Sequence, residues 1–161
     1  MDKKKKLTGG IFLILAISMM LFIFYMSSKP ANESTAISNR VGLILGDLFI
    51  PGFGDWTDAS RMDLASIIDY PIRKCAHCFE YMFLGIFVMG TLIAFWDDKR
   101  KMEVLLLAFF ICVFYASTDE IHQIFVPGRS CEIKDVWIDS VGAIIGILAT
   151  NLFSRNRKKE K

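Results

Sequence analysis

The stretch "RKCAHCFEY", Arg73 to Tyr81, packs two cations, an imidazole, a carboxylate and two thiols into nine residues. Cys75 and Cys78 stand three apart around His77, with Glu80 just beyond. Those are zinc-type ligands, and the CxxC outline is also that of a redox pair. A second group, "TDEIHQIFVPGRS", supplies Asp119, Glu120, His122, Gln123 and Arg129. A third, "DVWIDSVGAIIG", supplies Asp135 and Asp139. Helical spacing sorts them. Arg73, His77 and Glu80, at i, i+4 and i+7, share one face; Asp119 and Gln123 share another, with Glu120 beside them. Asp135, Asp139, Gly142 and Gly146 form one stripe.

Four chemistries fit these residue types, and the residues alone leave them open. Metal binding has donors enough in His77, Glu80, Asp119, Glu120, His122 and the four cysteines. His122, however, stands off the Asp119 face, and Cys75 and Cys78 read as well as small residues packing in a helix, so no metal ligand set is assigned. A redox role would need a low-pKa thiolate in a thioredoxin-like αβ pattern, which does not surround the CxxC. Acid–base catalysis would draw on His77 with Glu80, or Asp119 with Glu120, as a base and its orienting partner. Ser117, Thr118 and Ser130 are the available hydroxyls, none within a nucleophile motif. Binding without catalysis would use Arg73, Lys74 and Arg129 to hold a phosphate or carboxylate within a zwitterionic or anionic head group. The bland alternative is an ion-pair network that holds helices together.

The elements that position these residues are membrane helices. Of 161 residues, 53% are hydrophobic and 14 are Phe, and the mean hydropathy is +0.42, high for a soluble domain. The net charge of +2 is unevenly placed. Lys3 to Lys6 open the chain, Lys99 to Lys101 sit in its middle, and Arg155, Arg157, Lys158, Lys159 and Lys161 close it. Basic clusters bracketing apolar runs are how membrane proteins use charge. A nucleic-acid binder would spread them over a folded surface, so no nucleic-acid partner is implied.

Four apolar runs follow: Gly9 to Met26, Tyr81 to Trp96, Val104 to Ser117 and Val136 to Phe153. The first reads as an uncleaved anchor, because its apolar stretch is long for a signal peptide and no small-x-small cleavage site follows. With four spans, the three basic segments fall on one side, which the positive-inside rule makes cytoplasmic. The segment from Ser27 to Ile72 then faces outward. Within it "AISNRVGLILGDLF" carries apolar residues at helical spacing (Val41, Ile44, Leu45, Leu48). "FIPGFGDW" breaks the helix, and "TDASRMDLASIIDY" starts a second short helix with capping residues. Both suit amphipathic helices on the outer face of the bilayer, and equally an ordered extracytoplasmic loop without membrane contact.

Three of the spans are too short without their charged ends. Tyr81 to Trp96 makes only about 24 Å of helix against a hydrocarbon core about 30 Å thick. To cross, the second helix must reach back through Glu80 and His77. The third must run on through Asp119 and Glu120, and the fourth must start near Asp135. Ionisable residues from three helices thus meet at one depth, and Gly142 and Gly146 form a GxxxG that admits a close neighbour. Charges at that depth face the bundle interior rather than lipid. The expected site is one outward-open polar pocket of Arg73, Lys74, His77, Glu80, Asp119, Glu120, Gln123, Arg129, Asp135 and Asp139.

At this point the residues resemble the VanZ-like family, named for a protein associated with teicoplanin resistance. Its pattern reads approximately RKxxHxxEYxxLG, then DExxQxFxPxR, then DxxxNxxG. Arg73, Lys74, His77, Glu80, Tyr81, Leu84 and Gly85 fill the first block. Asp119, Glu120, Gln123, Phe125, Pro127, Gly128 and Arg129 fill the second, and Asp135 and Gly142 part of the third. Asp139 stands where the pattern has asparagine. Cys75 and Cys78 fall at unspecified positions. The resemblance covers roughly residues 72–146 and implies a small integral membrane protein of the bacterial envelope, in some members linked to glycopeptide resistance. It implies no cofactor and hands over no reaction.

The expected fold is therefore an all-α integral membrane bundle of four transmembrane helices, with short interfacial helices after the first span. A basic tail and first span occupy 1–30, an extracytoplasmic segment 31–72, a three-span core 73–153 and a basic tail 154–161. The expected location is the bacterial cell membrane, multi-pass, with both termini cytoplasmic. The expected partners are membrane lipids, with a lipid-linked cell-wall precursor or a glycopeptide as further candidates.

Overall fold

Apolar residues run all round the first helix, α1 (Lys3–Ser27), so its own pattern selects no inner face. Contact selects it: Gly9, Ala16 and Ile23, two turns apart, and Ser27 one turn further on, are the residues buried. Phe95 lies against Gly9, and Phe12 lies against Gly90, so α1 runs antiparallel to the helix that carries Gly90 and Phe95. The computed structural model describes residues 3–96 and 101–159. The mid-chain basic residues Lys99 and Arg100, and the terminal Lys161, lie outside the described residues.

The next helix, α2 (Ala31–Phe49), buries its small residues Ser38, Gly42 and Gly46. Gly42 packs on Ala65 and Ile68, and Gly46 on Phe53. The apolar stripe of Val41, Ile44, Leu45 and Leu48 consequently points out of the protein, with Leu48 71% exposed. A helix that buries glycine and serine and displays leucine suits contact with lipid rather than water. A short 3₁₀ turn at Phe53–Asp55 follows, entered through Gly52 at φ +74°.

The expected second short helix over Thr57 to Tyr70 is not separate. It is the first part of α3 (Asp58–Phe95), a single helix of 38 residues, about 57 Å long at 1.5 Å per residue. Thr57 caps it by accepting the Ser60 N–H. The helix continues through Pro71, whose missing N–H would ordinarily interrupt it. Side chains bridge the proline: Arg73 pairs with Asp69 one turn earlier at 3.0 Å, and Ser38 of α2 bonds the same carboxylate.

The two remaining helices are α4 (Lys101–Gln123) and α5 (Ile133–Lys159). α4 buries Val104, Ala108, Cys112 and Ala116, spaced four apart. α5 lies parallel to α3 and closer to it than side chains would permit. A Cβ on Gly142 would collide with the Cys78 carbonyl, one on Gly146 with the Met82 carbonyl, and one on Gly85 with the Ala143 backbone. The expected GxxxG approach is thus realised, with α3 as the neighbour. Tyr81, Leu84, Met89, Ala108, Cys112, Ala143 and Ile147 form the apolar centre.

α1, α3, α4 over Met102–Gln123 and α5 over Ile133–Arg155 are each long and apolar enough to cross a membrane. The fold is an all-α membrane bundle. Its outer surface is apolar, as at Ile14, Phe110, Phe114 and Phe153. Both described chain ends lie at one end of the bundle, where Gly9 meets Phe95. Ser27, Gln123 and Asp135 lie at the other, the distal end.

Because the α3–α5 contact is made by backbone, added bulk there has no cheap relief. Gly142→Leu or Gly146→Leu should each cost about 1–3 kcal/mol, read as a lower unfolding midpoint of the detergent-purified protein. Gly10→Leu, where a side chain meets nothing within 4 Å, should leave the midpoint in place. Equal midpoints for all three would contradict the close contact.

Candidate functional site

The α3–α5 register carries the site. With Cys78 opposite Gly142, Lys74 one turn up meets Asp135, and their side chains form an ion pair. Lys74 Nζ also lies 4.9 Å over the Tyr70 ring. Between these levels His77 Nδ1 sits 3.9 Å from both Glu80 Oε2 and Asp139 Oδ1. That is beyond hydrogen-bond reach, so the imidazole is near two carboxylates and bonded to neither.

α4 contributes a tighter group. Asp119, Glu120 and Gln123 are all at most 3% exposed. Asp119 Oδ2 accepts from Ser27 Oγ of α1 at 2.7 Å and from Gln123 Nε2 at 3.2 Å. Glu120 Oε1 accepts from the same Nε2 at 3.1 Å, and its Oε2 accepts the Glu132 backbone N–H at 2.9 Å. Gln123 thus bridges two carboxylates through its amide N–H groups, and its Oε1 turns to Arg129 Nη1 at 3.3 Å.

Arg129 stands in the turn between α4 and α5, at the Val126-Pro127-Gly128 corner. Gly128 has φ +75°, a conformation that favours glycine, and the Pro127 carbonyl accepts the Ala31 N–H at 3.1 Å. Arg129 Nε donates to the Lys29 carbonyl at 3.0 Å and Nη2 to the Met26 carbonyl at 3.4 Å. The guanidinium therefore caps the end of α1, where a helix favours a cation. Its bonds are to two carbonyls and an amide, none to a carboxylate. Burial, and then the nearby Arg73 guanidinium, push Arg129 below its ordinary value, against the pull of Asp119, Glu120 and Glu80.

All ten residues expected at the site gather at the distal end, drawn from α3, α4, the Arg129 turn and α5. Two depths can be told apart. Toward the mouth, Arg73, Lys74, His77, Gln123, Arg129, Glu132 and Asp135 line a cavity of about 200 Å³. Deeper, Asp139 is 0% exposed and neither of its carboxylate oxygens has a partner; the Tyr81 hydroxyl and Asp119 Oδ1 are likewise without one. Polar groups of this kind inside a membrane bundle are expensive and mark function more often than support.

The VanZ/LLP1 family model matches residues 12–154. The chain belongs to that family. No curated protein and no solved structure matches it. The three blocks of VanZ-like pattern lie on α3, on α4 with its following turn, and on α5, and their polar positions are the residues that meet at the distal end.

Some expectations need correction and some residues were missed. Cys75 is exposed rather than packed; Cys78 is half-buried, Cys112 buried, Cys131 exposed, and all four are free thiols. His122 turns away and lays its ring on Phe24 at 4.5 Å. Among the described residues no three of His, Cys, Asp or Glu are placed to hold one metal ion. Asp69, Ser27, Ser38 and Glu132 went unnoticed as site residues. Asp69 had a legible signal, since it stands four before Arg73. Ser27 and Ser38 had none, because their partners come from other helices.

The Lys74–Asp135 pair is largely withdrawn from solvent, with side chains 18% and 10% exposed. Lys74→Met alone should destabilise the protein by about 1–3 kcal/mol, by leaving a carboxylate unpaired. Lys74→Met with Asp135→Leu should recover most of that loss in the detergent unfolding midpoint. A double variant as unstable as the sum of the two single variants would show that the pair is not coupled.

Proposed function

We propose that this VanZ/LLP1 protein lies in the bacterial cell membrane with both basic ends in the cytoplasm and its polar site facing out. There it binds the head group of an envelope lipid or lipid-linked cell-wall precursor, and by doing so reduces sensitivity to teicoplanin-type glycopeptides. The orientation is supported by Lys3 to Lys6, Lys99 to Lys101 and the basic C-terminal tail, which fall on one side of a four-span chain. The observation that carries the binding reading is the mouth of the site. Arg73, Lys74 and Arg129 line one cavity at the distal end of the bundle, and guanidiniums hold phosphate or carboxylate oxygens in pairs.

Catalysis on a phospholipid or lipid-linked substrate by His77, Glu80, Asp119 and Glu120 is the rival. The geometry favours it less. His77 is not bonded to either neighbouring carboxylate. The Ser117 hydroxyl donates to the Val113 carbonyl at 2.9 Å and the Thr118 hydroxyl to the Tyr115 carbonyl at 2.7 Å, so both are engaged with their own helix. Ser130 lies at the exposed rim beside Glu132.

The two readings separate in cells of a glycopeptide-susceptible host. Wild-type protein should raise the inhibitory concentration of teicoplanin severalfold. Arg73→Gln and Arg129→Gln, at equal membrane abundance, should lose the effect, while lipid and precursor profiles stay the same throughout. A lipid species that appears or vanishes with Glu80→Gln would instead establish an enzyme. Unchanged resistance in both arginine variants would sink the binding site as drawn.

A further inference from the structure

The polar cavity does not end at its charged wall. A second cavity, of about 100 Å³, adjoins it; its lining is mostly apolar, with Met26 at the end of α1, Ile37 and Val41 of α2, and Ile72 and Ala76 of α3, and Ser34, Ser38 and Glu80 add polar groups. Arg73, His77 and Arg129 line both cavities. The junction between a polar chamber and an apolar cleft is therefore formed by two guanidiniums and an imidazole. Arg73 uses Nη2 on Asp69, while its buried Nε has no partner. Arg129 bonds carbonyls and an amide, and His77 Nδ1 is unpartnered. Two guanidiniums are thus gathered where the two cavities meet, and none of the Arg129 hydrogen bonds is to a carboxylate.

The apolar cleft is continuous with an exposed apolar surface. Ile37 and Val41 are each 38% exposed, and beyond them Ile44 and Leu48 on α2 and Phe22 and Tyr25 on α1 are exposed too. A chain lying in the cleft would pass directly into that apolar surface. Charge and apolarity are thus placed in the order in which an amphiphile carries them.

We propose that the ligand is a membrane amphiphile with a phosphate head, entering sideways from the lipid between α1 and α2. Its phosphate sits between Arg73 and Arg129, the polar remainder of the head fills the chamber beside Lys74 and Asp135, and its apolar chain lies along Met26, Ile37, Val41, Ile72 and Ala76. This rests on the head-group reading above and deepens it by fixing what the head is attached to and the path by which it enters.

Hexyl phosphate and inorganic phosphate are suitable probes, titrated into the full-length protein in neutral detergent. Wild type should bind hexyl phosphate about tenfold or more tightly than inorganic phosphate, the gain expected from burying a few methylenes. The double variant Ile37→Gln/Val41→Gln changes two half-exposed positions and should keep the wild-type unfolding midpoint. In it the preference for hexyl phosphate should fall to near one, with phosphate binding unchanged. Leu48→Gln, outside the cleft, should keep the preference. Equal binding of the two probes to wild type, or a preference that survives the double variant, overturns the amphiphile while leaving the head-group site standing. Binding of neither probe overturns both.

Discussion

Contact between the backbones of α3 and α5 at Gly85, Gly142 and Gly146 fixes the register from which the polar end is built. Two helices held carbonyl against Cα cannot slide by a residue without a collision. Once Cys78 faces Gly142, Lys74 has Asp135 as its neighbour and His77 has Asp139. Helices spaced by large side chains would tolerate several registers and would scatter those charges. The apolar half of the bundle, around Leu84, Met89 and Ile147, therefore determines the geometry of the polar half.

The polar half in turn holds the rest of the chain. Gln123 joins Asp119 and Glu120 and passes the network to Arg129, which closes the end of α1 by its bonds to Met26 and Lys29. The Ser27 hydroxyl on Asp119 and the Tyr115 hydroxyl on the Met20 carbonyl at 2.5 Å tie α1 to α4. Each such bond is worth more than its counterpart in water only insofar as leaving it unmade is expensive. A purely structural network would satisfy all its members. Here Asp139, Tyr81 and His77 keep atoms with no protein hydrogen-bond partner, an arrangement that is costly inside a bundle.

The bundle and the gathering of charges were legible in the sequence for one physical reason. Apolar runs too short to cross a bilayer had to be completed by His77, Glu80, Asp119, Glu120 and Asp135, and all the completions fell at the same end. The glycine stripe was legible too, though not that α3 was its partner. The continuity of α3 was not legible: Pro71 ordinarily argues for a break, and the Arg73–Asp69–Ser38 bridge that spans it depends on α2 lying alongside. The outward apolar stripe of α2 agrees with an amphipathic helix. That Ser38, Gly42 and Gly46 form its packing face was not legible, because their partners on α3 and at Phe53 are set by tertiary contact.

Binding of an envelope head group requires the polar end to face outward, and Cys131 reports on this directly, being exposed in the turn beside Arg129. A variant keeping Cys131 as its one cysteine can be treated in intact cells with a maleimide that does not cross membranes. Labelling in intact cells, unchanged on permeabilisation, is the predicted result. Labelling that appears only after permeabilisation would place the site in the cytoplasm and contradict an outward-facing head-group site.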